Sequence, residues 1–128
     1  MARDTGRTKP CSPRVRKGRL AKAEEFLEHA QVAGSDAPDT CVSLAVLAGI
    51  AAADVICCAR LAEHAAGNDH QHAVVLLKQA NPAAATQLNR LLAQKSRAGY
   101  SDLPMTPRQA AQALRTADAL VELARSIA

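Results

Sequence analysis

Cys41-Val-Ser-Leu-Ala-Val-Leu-Ala-Gly-Ile-Ala-Ala-Ala-Asp54-Val-Ile-Cys-Cys-Ala59 is the most apolar run of the chain, and it contains a carboxylate. Read as one helix, it places Leu44, Leu47, Ala51, Cys58 and Leu61 within steps of three or four of Asp54, so the charge falls on the apolar stripe itself. An ionised carboxylate buried without a partner is costly enough that it must find a cation or a proton. The run approaches the length of a membrane span. Asp54 near its centre would cost about 2.5–3.5 kcal/mol on insertion, and alanine offsets little of that, so a core helix is the better reading.

Working outward, the 128 residues suit one domain with a single core. There is one Phe, one Tyr and no Trp. Alanine and leucine supply the apolar mass, and β-branched residues are few outside 42–56. This composition predicts an all-α fold, a four- to five-helix up-and-down bundle in which helices approach closely.

The first helix is expected over about Arg16–Val32, with Leu20, Ala23, Leu27 and Ala30 in register. Gly34-Ser-Asp-Ala-Pro38 ends it, with Ser35 or Asp36 to cap the next. That long central helix two would run from Pro38 to about Ala65. It is apolar nearly all round, which predicts a homodimer sharing its Val46-Gly49-Ala53 side. Asp69 is the expected cap of a third helix over His70–Ala80. Asn81-Pro82 starts a fourth, with Leu88, Leu91 and Leu92 as its stripe and Lys95 next in line, ending at Gly99. Thr106-Pro107-Arg108-Gln109 has the form of a capping box and opens the last helix.

Residues 1–19 carry seven basic side chains against Asp4 alone, and the remainder is slightly acidic. The expected organisation is a disordered basic tail over 1–15 and a bundle over 16–128, with attraction for phosphates confined to the tail. The start of the chain has no apolar signal segment. Cys57 and Cys58 are adjacent and no CxxC occurs, so the four cysteines are expected free, Cys11 in the tail and the others in the core. Together these features predict a soluble cytoplasmic protein with no membrane association. His70 and His72, two apart, are poorly spaced as metal ligands, and no metal or other cofactor is expected.

No phosphate loop, HExxH or nucleophile elbow is present. The remaining polar cluster is Lys95-Ser-Arg97-Ala-Gly-Tyr100-Ser-Asp102. Lys95 follows a leucine stripe inward and is the first candidate to compensate Asp54, with Arg97 or the Tyr100 hydroxyl as rivals.

The segments Leu44–Ile56, Asp69–Leu77 and Leu91–Tyr100 together resemble the HEPN superfamily, small helical bundles of bacteria, over roughly residues 18–127. The resemblance implies a bundle of four or five helices, often dimeric. It also implies either a metal-independent RNase of toxin–antitoxin and defence systems, or a non-catalytic relative that binds RNA, a nucleotide or a separately encoded protein partner. Active members carry Arg, four to six residues, then His. Arg97 is followed at that distance by Asp102, Leu103 and Pro104, and Arg90 by Lys95, Ser96 and Arg97, so the motif is absent. Lys95 and Tyr100 stand at the spacing of the missing pair. A lysine can hold a phosphate as a point charge, whereas a phenol ionises too far above neutrality to serve well as a general base. Arg60 and His64, four apart, are read as cations at the end of helix two.

The sequence therefore points to a binding site formed by Asp54, Lys95, Arg97, Tyr100 and His70, with no catalytic residues assigned. The alternatives are a divergent endoribonuclease using Lys95, Arg97 and Tyr100, and a structural dimerisation module.

Overall fold

A computed structural model describes residues 7–67 and 70–128. In chain order it comprises β1 (Thr8–Pro10), α1 (Pro13–Ala33), a tight helical turn at Gly34–Asp36, α2 (Pro38–Leu61), β2 (Glu63–Ala65), α3 (His70–Ala80), α4 (Pro82–Ala93), α5 (Lys95–Tyr100) and α6 (Pro107–Ile127). The fold is the expected all-α bundle around a long central α2, with only a two-stranded antiparallel ribbon beside it.

Three helices begin with the same local chemistry. Ser12, Asn81 and Thr106 each accept a hydrogen bond from the backbone N–H three residues on, and each is followed by proline. That proline needs no N–H where the helix has no acceptor to offer. At Thr106 the box is complete, because the Gln109 side chain accepts in return from the Thr106 N–H. Helix α2 starts differently. Neither Ser35 nor Asp36 caps it; Ala37 precedes Pro38 without a side-chain bond. Asp39, in the first turn, instead accepts from the Met105 N–H at 2.8 Å, tying the loop before α6 to the positive end of α2. The expected Asp69 cap of α3 lies outside the described residues.

α2 is buried along most of its length, including Val42, Ala45, Val46, Ala48 and the run Ala51–Cys58. α1 and α6 pack along it, and α3, α4 and α5 cover the rest. Its length and composition would allow it to cross a membrane, but here most of its surface is covered by the other helices. The Val46-Gly49-Ala53 side, expected to be shared with a second chain, is occupied by this one. Val46 and Ala53 are buried, and Gly49 faces Leu88, Leu91 and Leu120. A Cβ at Gly49 would come 2.5 Å from the Leu91 Cδ1. Gly49→Val is therefore expected to destabilise the fold by about 2 kcal/mol through overpacking, read as a lower denaturant midpoint. An unchanged midpoint would mean that Leu91 has room to move.

Two expected boundaries change. Helix two stops at Leu61 because Ala62 takes a left-handed conformation (φ 60°), and the chain turns into β2. The expected fourth helix divides at Gln94, whose N–H bonds to Leu91 O, and α5 follows as a separate short helix.

The N-terminal boundary needs a larger correction. Residues 1–6 lie outside the described residues, but 7–15 do not form a disordered tail. Thr8, Lys9 and Pro10 pair with Ala65, His64 and Glu63. The Cys11 N–H bonds to Ala62 O and the Ala66 N–H to Arg7 O. Cys11 and Cys58 form a disulfide across 47 positions, with Cα atoms 5.4 Å apart. The cysteines are thus not all free: Cys41 and Cys57 are buried thiols and the other two staple the ribbon to the last turn of α2. Burial, with Asp54 and Glu63 nearby, pushes the Cys57 thiol up to about 12, which keeps it protonated and unreactive beside its bonded neighbour.

Candidate functional site

α1 and α2 form a hairpin closed by the short segment 34–37, so residues early in α1 lie beside residues late in α2. In this register Arg19 meets Asp54. The Arg19 Nε donates to Asp54 Oδ2 at 2.8 Å. Asp54 is 8% exposed, and the ion pair is its compensation. Lys95 is not the partner. The segment from Leu91 to Met105 runs from Gly49 to Asp39 along α2, away from Asp54. A helix rises about 1.5 Å per residue, so Asp39 and Asp54 are roughly 22 Å apart along the axis.

The expected cluster consequently divides. Arg97 and Tyr100 lie exposed on α5 with Lys95 half-buried at its start, and Tyr100 is 82% exposed. Asp54 and His70 remain together, in a cleft of about 280 Å³ between α1, α2, the segment after β2, and α3. Arg19 and Lys22 from α1 join them there, with Phe26, Leu47 and Ile50 farther along the same walls. Arg19 falls within the expected first helix, one turn before Ala23 and two before Leu27, both buried. Its place on the apolar stripe of α1 is the same kind of signal as Asp54 on the stripe of α2.

The electrostatics of the cleft are unusual for a stabilising ion pair. Burial pushes the Asp54 carboxyl above the ordinary carboxylate range, and the opposing pull of Arg19, His64 and His70 does not fully cancel it. Arg19 offsets part of the desolvation of the carboxylate, and in return the carboxylate orients a guanidinium. Only Nε is engaged. Among the described residues the two terminal nitrogens of Arg19 have no protein partner, leaving the end of the fork for an anion.

His64 belongs to β2 rather than to helix two, where it had been paired with Arg60. Its Nδ1 lies 3.0 Å from the Ala65 carbonyl oxygen. Arg60 is exposed in the last turn of α2, where a cation suits the helix dipole. Arg7 and Lys9 sit on the ribbon that leads into the cleft wall, so part of the basic N-terminal charge is held near the Arg19 end.

A second cavity, about 330 Å³, lies between α4 and α6 and is lined by Arg90, Gln94, Gln109, Gln112 and Thr116 among others. Its polar groups are partly engaged already: Gln109 in the capping box, and the Thr116 hydroxyl on the Gln112 carbonyl at 3.0 Å. It includes none of the expected site residues. Among the described residues no three His, Cys, Asp or Glu side chains are grouped to hold a metal ion. Comparison with known proteins finds no matching family model, no matching curated protein and no matching solved structure.

Proposed function

We propose that this chain is a HEPN-like bundle that works by binding rather than by its own catalysis, and that it holds a phosphate-bearing ligand, RNA or a nucleotide, in the Arg19–Asp54 cleft. The observation that carries the reading is the side-on grip of a buried carboxylate on Arg19, which leaves the end of the guanidinium fork without a partner among the described residues, at a residue lining a cleft. Arginine presented this way suits a phosphate bidentately, and Lys22 adds a second charge. The missing Arg-to-His motif argues against a nuclease. The proposal places the protein in a bacterial defence or toxin–antitoxin setting, as a homodimer or beside a separately encoded partner, through surfaces other than Val46-Gly49-Ala53. A cytoplasmic location belongs to the same proposal and requires the Cys11–Cys58 bond to withstand a reducing compartment, where disulfides are rare.

The test is binding of a labelled RNA pool and of mononucleotides by the purified chain. Expected is saturable, salt-sensitive binding that falls at least tenfold in Arg19→Gln and survives Arg7→Gln with Lys9→Gln. Loss in the ribbon variant with none in Arg19→Gln would move the affinity to the N-terminal strand and overturn the site. Chelator-resistant RNA cleavage abolished by Lys95→Ala or Tyr100→Ala would establish the endoribonuclease alternative instead. No binding together with a tight dimer in light scattering would favour a structural dimerisation module.

A further inference from the structure

The cleft has two chemically different ends, and the antiparallel pairing of α1 with α2 sets them in the same order on both walls. Arg19 meets Asp54. Seven residues onward in α1 and seven back in α2, Phe26 falls opposite Leu47. Each helix therefore carries charge at one end of the cleft and bulk hydrocarbon at the other, about 10 Å away at 1.5 Å per residue. Phe26 and Ile50 are half-buried and Leu47 is 42% exposed, so the apolar end is an open shelf, not a sealed part of the core. Open apolar surface beside an oriented arginine suits a ligand with a flat, poorly solvated body and an anionic head.

We infer that the cleft takes a nucleoside monophosphate, its phosphate on the Arg19–Lys22 end and its base against Phe26, Leu47 and Ile50. This rests on the phosphate-binding reading above and narrows it from RNA or a nucleotide to a single mononucleotide with its phosphate and base assigned to opposite ends of the cleft. The separation of the two ends is comparable with the reach from phosphate to base in a mononucleotide. The volume, about 280 Å³, is at the lower limit for small-molecule sites and suits one nucleotide rather than several.

Calorimetric titration of the full chain with AMP, adenosine and inorganic phosphate tests the inference. AMP is expected to bind about tenfold or more tightly than either fragment, since stacking and phosphate contact act together. Leu47→Ser and Phe26→Leu should each weaken AMP several-fold and leave inorganic phosphate unchanged, whereas Arg19→Lys should weaken both. Circular dichroism confirms that each variant is folded. Inorganic phosphate binding as tightly as AMP, with no effect of Leu47→Ser, would overturn the nucleotide site while leaving the phosphate reading intact. A short single-stranded RNA held through Arg19 and not displaced by AMP would overturn it in favour of a strand. If AMP, phosphate and that RNA all fail to bind at millimolar concentration, both readings fall together.

Discussion

Loss of the Cys11–Cys58 bond is expected to lower the stability of the protein by about 4 kcal/mol. The bond spans 47 positions, and in the chain-entropy treatment a cross-link of that length removes about this much freedom from the unfolded chain. The native geometry adds a second reason. Cys11 begins directly after β1, and its N–H bonds to Ala62 O, so the bond lies beside the hydrogen bonds it protects. The double variant Cys11→Ala with Cys58→Ala, and the parent with a reducing dithiol, should lose on the order of 10 °C in Tm. The amides of Thr8, Lys9 and Cys11 and those of 62–66 should exchange fastest in the opened form. Cys41 is a useful control because its thiol, buried and donating to Ala110 O at 3.9 Å, takes no part in the staple. A reduced parent with the same denaturant midpoint as the oxidised one would show that the ribbon holds without its bond.

Arg19→Ala should destabilise the fold by about 2–3 kcal/mol near neutral pH, because it leaves the Asp54 carboxylate buried and uncompensated. The pH dependence separates this from simple loss of packing. Burial already holds the Asp54 carboxyl above its ordinary range in the parent. An acid whose folded pKa is raised contributes its full stability below the unfolded value, near 4, and loses it as pH rises through the folded value. Removing Arg19 removes both its charge and its hydrogen bond, raising the carboxyl further and extending that loss to higher pH. The penalty in Arg19→Ala should therefore be small at acidic pH and grow toward neutrality.

Asp54→Asn should behave in the opposite way, equal to the parent or more stable at neutral pH and flat through the same window, while ligand binding falls because Arg19 is no longer held by a charge. A denaturant titration at several pH values measures both variants. A pH-independent penalty in Arg19→Ala would show that the pair contributes through packing alone. Asp54→Asn with undiminished binding would remove the orienting role of the carboxylate.

Much of the helical framework was legible because its signals are local. Asn81-Pro82 and Thr106-Pro107 mark helix starts through bonds made three residues away, and the apolar run from Cys41 to Ala59 is central because no face of it suits water. Ser12-Pro13 carries the same start signal. The surrounding basic charge obscures it by suggesting a solvated arm over 1–15, and the charge of Arg19 hides among that of its basic neighbours. A hairpin closed by four residues brings Arg19 opposite Asp54, so that pair was also within reach of the sequence. Lys95 misled because a leucine stripe tells which face of a helix turns inward but not where along the neighbouring helix it lands.

Taken alone, the sequence determined the helical class, the central position of α2, most of the helix starts and the anomaly of a carboxylate on an apolar stripe, since each depends on residues within a few turns of one another. Only the tertiary structure decided that β1 returns to the end of α2, that Cys11 meets Cys58 rather than Cys57, and that His70 joins Asp54 in a cleft while Lys95, Arg97 and Tyr100 lie elsewhere. Those outcomes depend on how helices align along one another and on the left-handed turn at Ala62, and side-chain periodicity within one helix carries no information about either.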